Sequence, residues 1–239
     1  MLSEKIMQIF WYHRRRYGAR RIAQELKDQG HAIDRKRVIR LMNSKGIKAI
    51  QPKSFKPRST ESRHRLGYNE NLLKEAKITR AGQAWVGDIT YIPCSEFGYC
   101  YLSVLMDLCS RRIVGWHLNS DMTESLVLTA LRKAIGSCQP APGLLHHTDR
   151  GGQYAGKQYR SVLARAQMKQ SMSRANDCYD NAFMESCFGT IKKEIEMTEY
   201  KTMQEAKHAV QRYISYYNFE RKHSSLGYRT PIQFESTQA

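Results

Sequence analysis

Residues 144–196 read LLHHTDRGGQYAGKQYRSVLARAQMKQSMSRANDCYDNAFMESCFGTIKKEIE, and the two ends of this segment put the rest of the chain in order. It opens on a short apolar run, Leu144-Leu145, which predicts a buried strand carrying Asp149 out at its C-terminal end. Arg150-Gly151-Gly152 then marks a tight turn. It closes on a helix in which Met184, Phe188, Ile191 and Ile195 recur at helical spacing as an apolar stripe. Glu185, Gly189 and Lys192 follow one another along a neighbouring face. A carboxylate at a strand end and another on a packed helix can meet although far apart in sequence. Two such groups, ideally with a third, are what a hard divalent cation requires of a protein.

Composition narrows the class. The 239 residues suffice for one sizeable core and a smaller domain, and 41% hydrophobic residues suit a soluble globular protein. No run of about 18 apolar residues appears, so a membrane span is not expected. The N-terminus, MLSEKIMQIFWYHRRR, lacks the apolar stretch and small-residue site of a signal peptide, and a cytoplasmic location is expected. The net charge of +17 is unevenly placed: residues 1–80 hold 21 Lys and Arg against 7 Asp and Glu, the remainder 18 against 15. The first third therefore predicts a module that binds a polyanion, with nucleic acid as the partner.

Six cysteines (Cys94, Cys100, Cys109, Cys138, Cys178, Cys187) form no CxxC pair and no zinc-like spacing with histidine, so free thiols are expected. His146 and His147 are adjacent on a strand and point to opposite faces, so at most one of them joins a site with Asp149.

In chain order, residues 3–16 predict a helix ending in Arg14-Arg15-Arg16, and Ala19–Gln29 a second, stopped by Gly30. Asp34 is the expected N-cap of a third, Arg35–Lys45, which buries Val38, Leu41 and Met42 and turns Arg35, Lys36, Arg40 and Asn43 outward. This is a helix-turn-helix pattern over residues 1–46. Residues 47–80 read as a basic linker, residues 81–197 as the main domain, and residues 198–239 as a C-terminal helix with a basic and aromatic tail. Strands are expected at Ala84–Ile92 (ended by Pro93), Gly98–Leu108 and Arg111–Leu118, then a helix from Thr123 stopped by Gly136. A strand at Leu144–Thr148, a helix at Gly156–Ala166 and a strand at Met168–Met172 follow. The order predicts an α/β fold, a mixed five-stranded sheet flanked by helices and preceded by an all-α unit. Asp88 is the anomaly within its strand, because an unpaired carboxylate there costs several kcal/mol and needs a partner.

Several words of this sequence resemble a known family: Trp85-Val86-Gly87-Asp88-Ile89-Thr90-Tyr91-Ile92, His147-Thr148-Asp149-Arg150-Gly151-Gly152-Gln153-Tyr154, and Asp180-Asn181-Ala182 to Glu185 with Lys192 and Glu194. The closing Tyr216-Tyr217-Asn218, Arg221, His223 and Thr230-Pro231 match too. The chain looks like a bacterial insertion-sequence transposase of the OrfB type, in the DD-E group that includes the retroviral integrases. Thirty-five residues separate Asp149 from Glu185, the spacing that gives the group its name. The resemblance implies a ribonuclease-H-like core with Asp88, Asp149 and Glu185 as catalytic and metal-holding acids. It implies two magnesium ions, with manganese as a substitute, and cleavage by water followed by attack of the freed 3′-hydroxyl.

As partners it implies double-stranded DNA (terminal repeats and target), self-association on that DNA, and the product of an upstream DNA-binding reading frame. Arg20, Arg21, Arg35, Lys36, Arg40, Lys192, Arg221 and His223 are the expected DNA contacts. The chain departs from relatives at Asn176, where they place glycine; Asn tolerates the left-handed backbone of a turn. Two other functions compete: an inert DNA-binding regulator of transposition, and a ribonuclease-H-like nuclease.

Overall fold

The computed structural model describes residues 2–51, 67–173, 182–195 and 199–238. Three helices come first: α1 (Leu2–Tyr12), α2 (Ala19–Asp28) and α3 (Arg35–Ser44). Asp34 caps α3 as expected, its Oδ1 accepting the Arg37 N–H at 2.6 Å. Helix α1 stops one turn short of the expected Arg16. Arg14 and Arg15 adopt left-handed backbone, φ 49° and 64°, and turn the chain back on itself. Val38 and Met42 of α3 are buried against the other two helices, and Arg35, Lys36 and Arg40 face solvent.

Five strands follow: β1 (Ala84–Cys94), β2 (Gly98–Asp107), β3 (Ile113–Asn119), β4 (Leu145–Thr148) and β5 (Lys169–Met172). They form one mixed sheet in the order β3-β2-β1-β4-β5, antiparallel across β3, β2 and β1 and parallel across β1, β4 and β5. Helices α4 (Glu124–Cys138), α5 (Gly152–Ala155) and α6 (Lys157–Arg165) join β3, β4 and β5. They cover one face, with Trp85, Leu105, Val127, Leu131 and Tyr159 in the layer between. The fit at β3 is close: a Cβ on Gly115 would stand 2.6 Å from the Ala130 carbonyl oxygen, so only glycine admits α4 there. Helices α7 (Ala182–Glu194) and α8 (Met203–Phe219) take the other face, and α9 (Pro231–Ser236), which periodicity did not predict, closes the chain behind a capping box at Thr230.

Two expected stops are not stops. Pro93 lies inside β1, paired in register with Tyr99. Its carbonyl accepts from the Tyr200 N–H at 3.2 Å, so its nitrogen also faces away from β2 and no ladder bond is lost. Gly136 lies inside α4, where a glycine costs about 0.5–1 kcal/mol; the helix ends instead at Gln139, whose backbone is left-handed.

The helical unit is not tethered loosely. Ile6, Phe10, Tyr17, Ile22 and Leu26 share one apolar core with Val86, Val104, Phe188, Ile191 and Tyr213. The expected linker is tied down at both of its described ends. The Ile50 N–H donates to Arg15, Leu72 N–H donates to Ser171 Oγ at 2.9 Å, and Asn69 bonds Gln170 at 2.8 Å along β5. Residues 52–66 between these ends lie outside the described residues, as do Asn176 and Asp180-Asn181.

Candidate active site

Strands β1 and β4 run parallel with Val86 opposite His147 and Gly87 opposite Thr148. The next residue of each is Asp88 and Asp149: Asp88 lies within β1, opposite Val104 of β2, and Asp149 just past the end of β4, side by side where the β1–β4 pairing stops. Both are half-buried. Asp88 Oδ1 accepts from the Ile89 N–H at 2.7 Å, and Asp149 Oδ1 from the Gly151 N–H at 2.9 Å. A Cβ on Gly151 would meet that same Oδ1 at 3.0 Å, which explains the glycine of the turn. Tyr154, buried beneath, has its phenol held well above its ordinary pKa by burial first, then by the charges of Asp88, Tyr159 and Asp149. One ring thus feels both carboxylates.

Helix α7 packs against β1 and buries Met184, Phe188, Ile191 and Ile195, the expected stripe. Burial pushes the Cys187 thiol up to about 12, with Asp88 a smaller contributor. Burial lowers the Lys192 pKa against the opposing charge of Asp88, and the Lys192 ammonium sits 4.3 Å from the Tyr91 ring centre. The Cys187 and Lys192 side chains thus both feel the charge of Asp88 across the contact between α7 and β1. Glu185 is in the first turn of the same helix and faces solvent. Among the described residues no three His, Cys, Asp or Glu side chains stand close enough together to hold a metal ion. The β1–β4 register sets the two aspartates side by side, and among the described residues they do not form a three-ligand cluster with Glu185. The donor set is nonetheless oxygen-only, partly open to solvent and free of thiolate, which fits a hard divalent cation.

The remaining polar residues of this region are structural. Asp107 is buried, and its carboxylate accepts from the N–H groups of Gly82, Cys109 and Ser110 and from Ser110 Oγ, at 2.8 to 3.1 Å. His146 bonds the Tyr159 hydroxyl at 2.6 Å and His147 bonds Ser171 Oγ at 2.8 Å, on different neighbours as alternation required. Burial depresses His146 to about 3. His13 falls to about 4 and His223 to about 2, each through burial first and then nearby cations. A histidine depressed in the fold contributes stability that is complete above its unfolded pKa, about 6.5, and is lost as pH falls. Each should withdraw up to about 1.4 kcal/mol per pH unit below 6.5 until its folded value is reached. Urea midpoints at pH 7.5 and 5.0 test this; equal midpoints would refute it.

The expected DNA contacts separate into two groups. Arg20, Arg35, Lys36 and Arg40 are exposed. Arg221 and His223 are not: they are 4% and 8% exposed. Arg221 donates to both oxygens of buried Glu194 at 2.8 Å, and its Nη1 lies 3.2 Å from the His223 ring. Arg21 donates to the Lys222 carbonyl at 2.9 Å and its guanidinium lies 3.9 Å from Glu194. Tyr17 bridges the same tail, donating to the Glu220 carbonyl and accepting from the Lys222 N–H. The tail is turned inward because Glu194, buried on α7, requires a countercharge. Periodicity held half of this signal: Cys187, Ile191 and Glu194 share one face at i, i+4 and i+7.

A sheet of this order carrying paired aspartates, joined to a helical DNA-binding unit, defines a protein of the integrase-core class. Residues 78–178 and 166–231 match the integrase core domain family, and residues 1–55 an HTH-like domain. The chain is 40% identical over 238 residues to the transposase for insertion sequence element IS904 of Lactococcus lactis subsp. lactis (strain IL1403), covering 98% of this chain and 93% of that one. It is 37% identical to transposase InsF for insertion sequence IS3A of Escherichia coli (strain K12), covering 97% and 81%. The fold is that of the HTLV-2 integrase catalytic core domain in complex with magnesium (TM-score 0.53, 17% identity, 65% of this chain and 97% of that one). It also aligns with a chain of the simian T-cell lymphotropic virus intasome (TM-score 0.57, 15% identity, 97% and 74%). The chain belongs to the insertion-sequence transposase family, and its function is DNA transposition.

Proposed function

We propose that the chain cleaves DNA at the ends of its own insertion element and joins the freed ends to target DNA, with Asp88, Asp149 and Glu185 as the catalytic acids. The observation that carries this reading is the β1–β4 register, which sets Asp88, within β1, beside Asp149, just past the end of β4. Their carboxylates, with Glu185, would hold magnesium or manganese, which polarises a phosphodiester and lowers the pKa of an attacking water. In the first step water attacks the scissile phosphorus and the P–O3′ bond breaks, leaving a 3′-hydroxyl and a 5′-phosphate. In the second, that hydroxyl attacks a target phosphodiester and displaces its 3′-oxygen. Lys192, beside Asp88, supplies positive charge to the DNA backbone at the reacting end. The Gly151 N–H orients Asp149, and the Ile89 N–H orients Asp88. More than one copy of the chain assembles on the paired ends, alone or with an upstream reading-frame product, on DNA in the bacterial cytoplasm.

The acids at all three positions favour an enzyme over an inert regulator, and the basic helical unit favours duplex DNA over an RNA–DNA hybrid. The test is a labelled terminal-repeat duplex incubated with the protein and magnesium or manganese. Release of a 3′-hydroxyl end and its joining to a second duplex are expected. Binding without cleavage in either metal would leave the regulator, and cleavage confined to hybrid substrate would leave the nuclease.

Sequence-directed binding is assigned to α3. Arg35→Ala or Arg40→Ala in the full chain should each cost about 1–3 kcal/mol on the terminal repeat where the side chain reads a base. Affinity should fall steeply with salt. Equal losses on scrambled DNA would remove α3 from the recognition role.

A further inference from the structure

A groove of about 540 Å³ lies between the end of α1, the C-terminal end of α7 and the outer face of α8. A second concavity of about 550 Å³ lies on the adjoining face of the same stretch of α8, and Arg212 lines both. We propose that this groove is a track for the phosphodiester backbone of DNA, separate from α3 and from the catalytic acids; the proposal rests on the DNA-cleaving reading above.

Three guanidinium groups line the groove, those of Arg14, Arg16 and Arg212. Arg14 and Arg212 are exposed. Arg14 and Arg15 hold left-handed backbone in succession, a conformation that non-glycine residues rarely adopt. That turn sets Arg14 and Arg16 on the groove wall, while the Arg15 carbonyl accepts from the Ile50 N–H. Arg16 is held in a fixed orientation: its Nε donates to the Glu194 carbonyl at 3.0 Å, and its guanidinium lies 4.5 Å and 5.2 Å from the Tyr216 and Tyr213 ring centres. The same bond offsets the negative end of the α7 dipole, which would otherwise repel a phosphate. Two carboxylates also line the groove. Glu194 is already paired with Arg221; Glu220 keeps its charge while accepting from the Tyr12 hydroxyl at 3.0 Å, one carboxylate against three guanidinium groups. The surface that remains is cationic with tyrosine walls, as a nucleic-acid strand requires.

Position supports the same occupant. Glu194 is nine residues along α7 from Glu185, about 14 Å at 1.5 Å per residue. That is roughly four nucleotide steps of a strand whose end lies at the acids. DNA gripped by α3 and cut at the acids spans both units, and the groove is bounded by both.

The test uses the full chain and a duplex carrying the terminal repeat, with a scrambled duplex of equal length. Affinity is measured over a salt series for wild type, Arg14→Ala/Arg212→Ala, Arg14→Lys/Arg212→Lys and Arg35→Ala/Arg40→Ala, with thermal melting as the folding control. The alanine pair should lower the slope of log K against log salt by about 2, at roughly 0.9 per phosphate, and weaken both duplexes alike. The lysine pair should keep the wild-type slope. The Arg35/Arg40 variant should lose more on the repeat than on the scrambled duplex. An unchanged slope in the folded alanine pair, with wild type binding normally, overturns the groove alone. Failure of wild type to bind DNA overturns the functional reading and the groove together.

Discussion

Asp88→Asn, Asp149→Asn and Glu185→Gln should each lower 3′-hydroxyl release and strand transfer by about a thousandfold or more, with DNA binding retained. The size follows from the several kcal/mol that charge stabilisation by a bound cation contributes to such a reaction, at 1.36 kcal/mol per tenfold. Folding should not suffer. Asp88 and Asp149 share the neighbourhood of Tyr154, and removing one of two like charges relieves repulsion in the metal-free protein. Because Asp88 and Asp149 share the β1–β4 register while no three-ligand cluster with Glu185 stands among the described residues, manganese affinity of the DNA-free protein should fall more on loss of either aspartate than on loss of Glu185. Asp107 is the control. An amide there cannot accept all four of the bonds its carboxylate now accepts, so Asp107→Asn should cost about 1–3 kcal/mol and leave activity per folded molecule. Full activity in Asp149→Asn or Glu185→Gln would sink the site. Inactive but folded Asp107→Asn beside active Asp88→Asn would show that the first acid is wrong.

Arg221→Ala should be the most destabilising single change outside the apolar core, by about 3–5 kcal/mol, because it strands a buried carboxylate. Glu194 is 3% exposed and takes two hydrogen bonds from Arg221 and one from Tyr213. Burial works to discharge Arg221, and the bonds and charge of Glu194 outweigh it, holding its pKa above the ordinary value. Replacing both partners, as in Glu194→Leu/Arg221→Met, should recover most of the loss, since an apolar pair leaves no orphaned charge. Arg16 and Arg21 meet the same glutamate, so Arg221→Ala should also raise hydrogen exchange between Arg16 and Ile22. A melting temperature unchanged by Arg221→Ala would show that the tail is not held by this pair.

Much of the fold is written in local patterns. The alternation of β1, the apolar stripe of α7, the Asp34 cap and the charge excess of residues 1–80 each depend on neighbours a few residues away, so spacing alone reveals them. The words around Asp88, Asp149 and Glu185 pointed to the acids through their resemblance to a known family, not through periodicity. What tertiary structure alone decided is pairing at long range. Tyr12 with Glu220, Tyr17 with Lys222 and Arg21 with the Lys222 carbonyl join residues about two hundred positions apart, and no periodicity encodes such contacts. They turn a basic tail that reads as a DNA contact into the clasp that holds the helical unit to the core. Pro93 carries the same lesson: whether a proline ends a strand depends on which neighbour its missing N–H would have faced, and that neighbour is set by the fold.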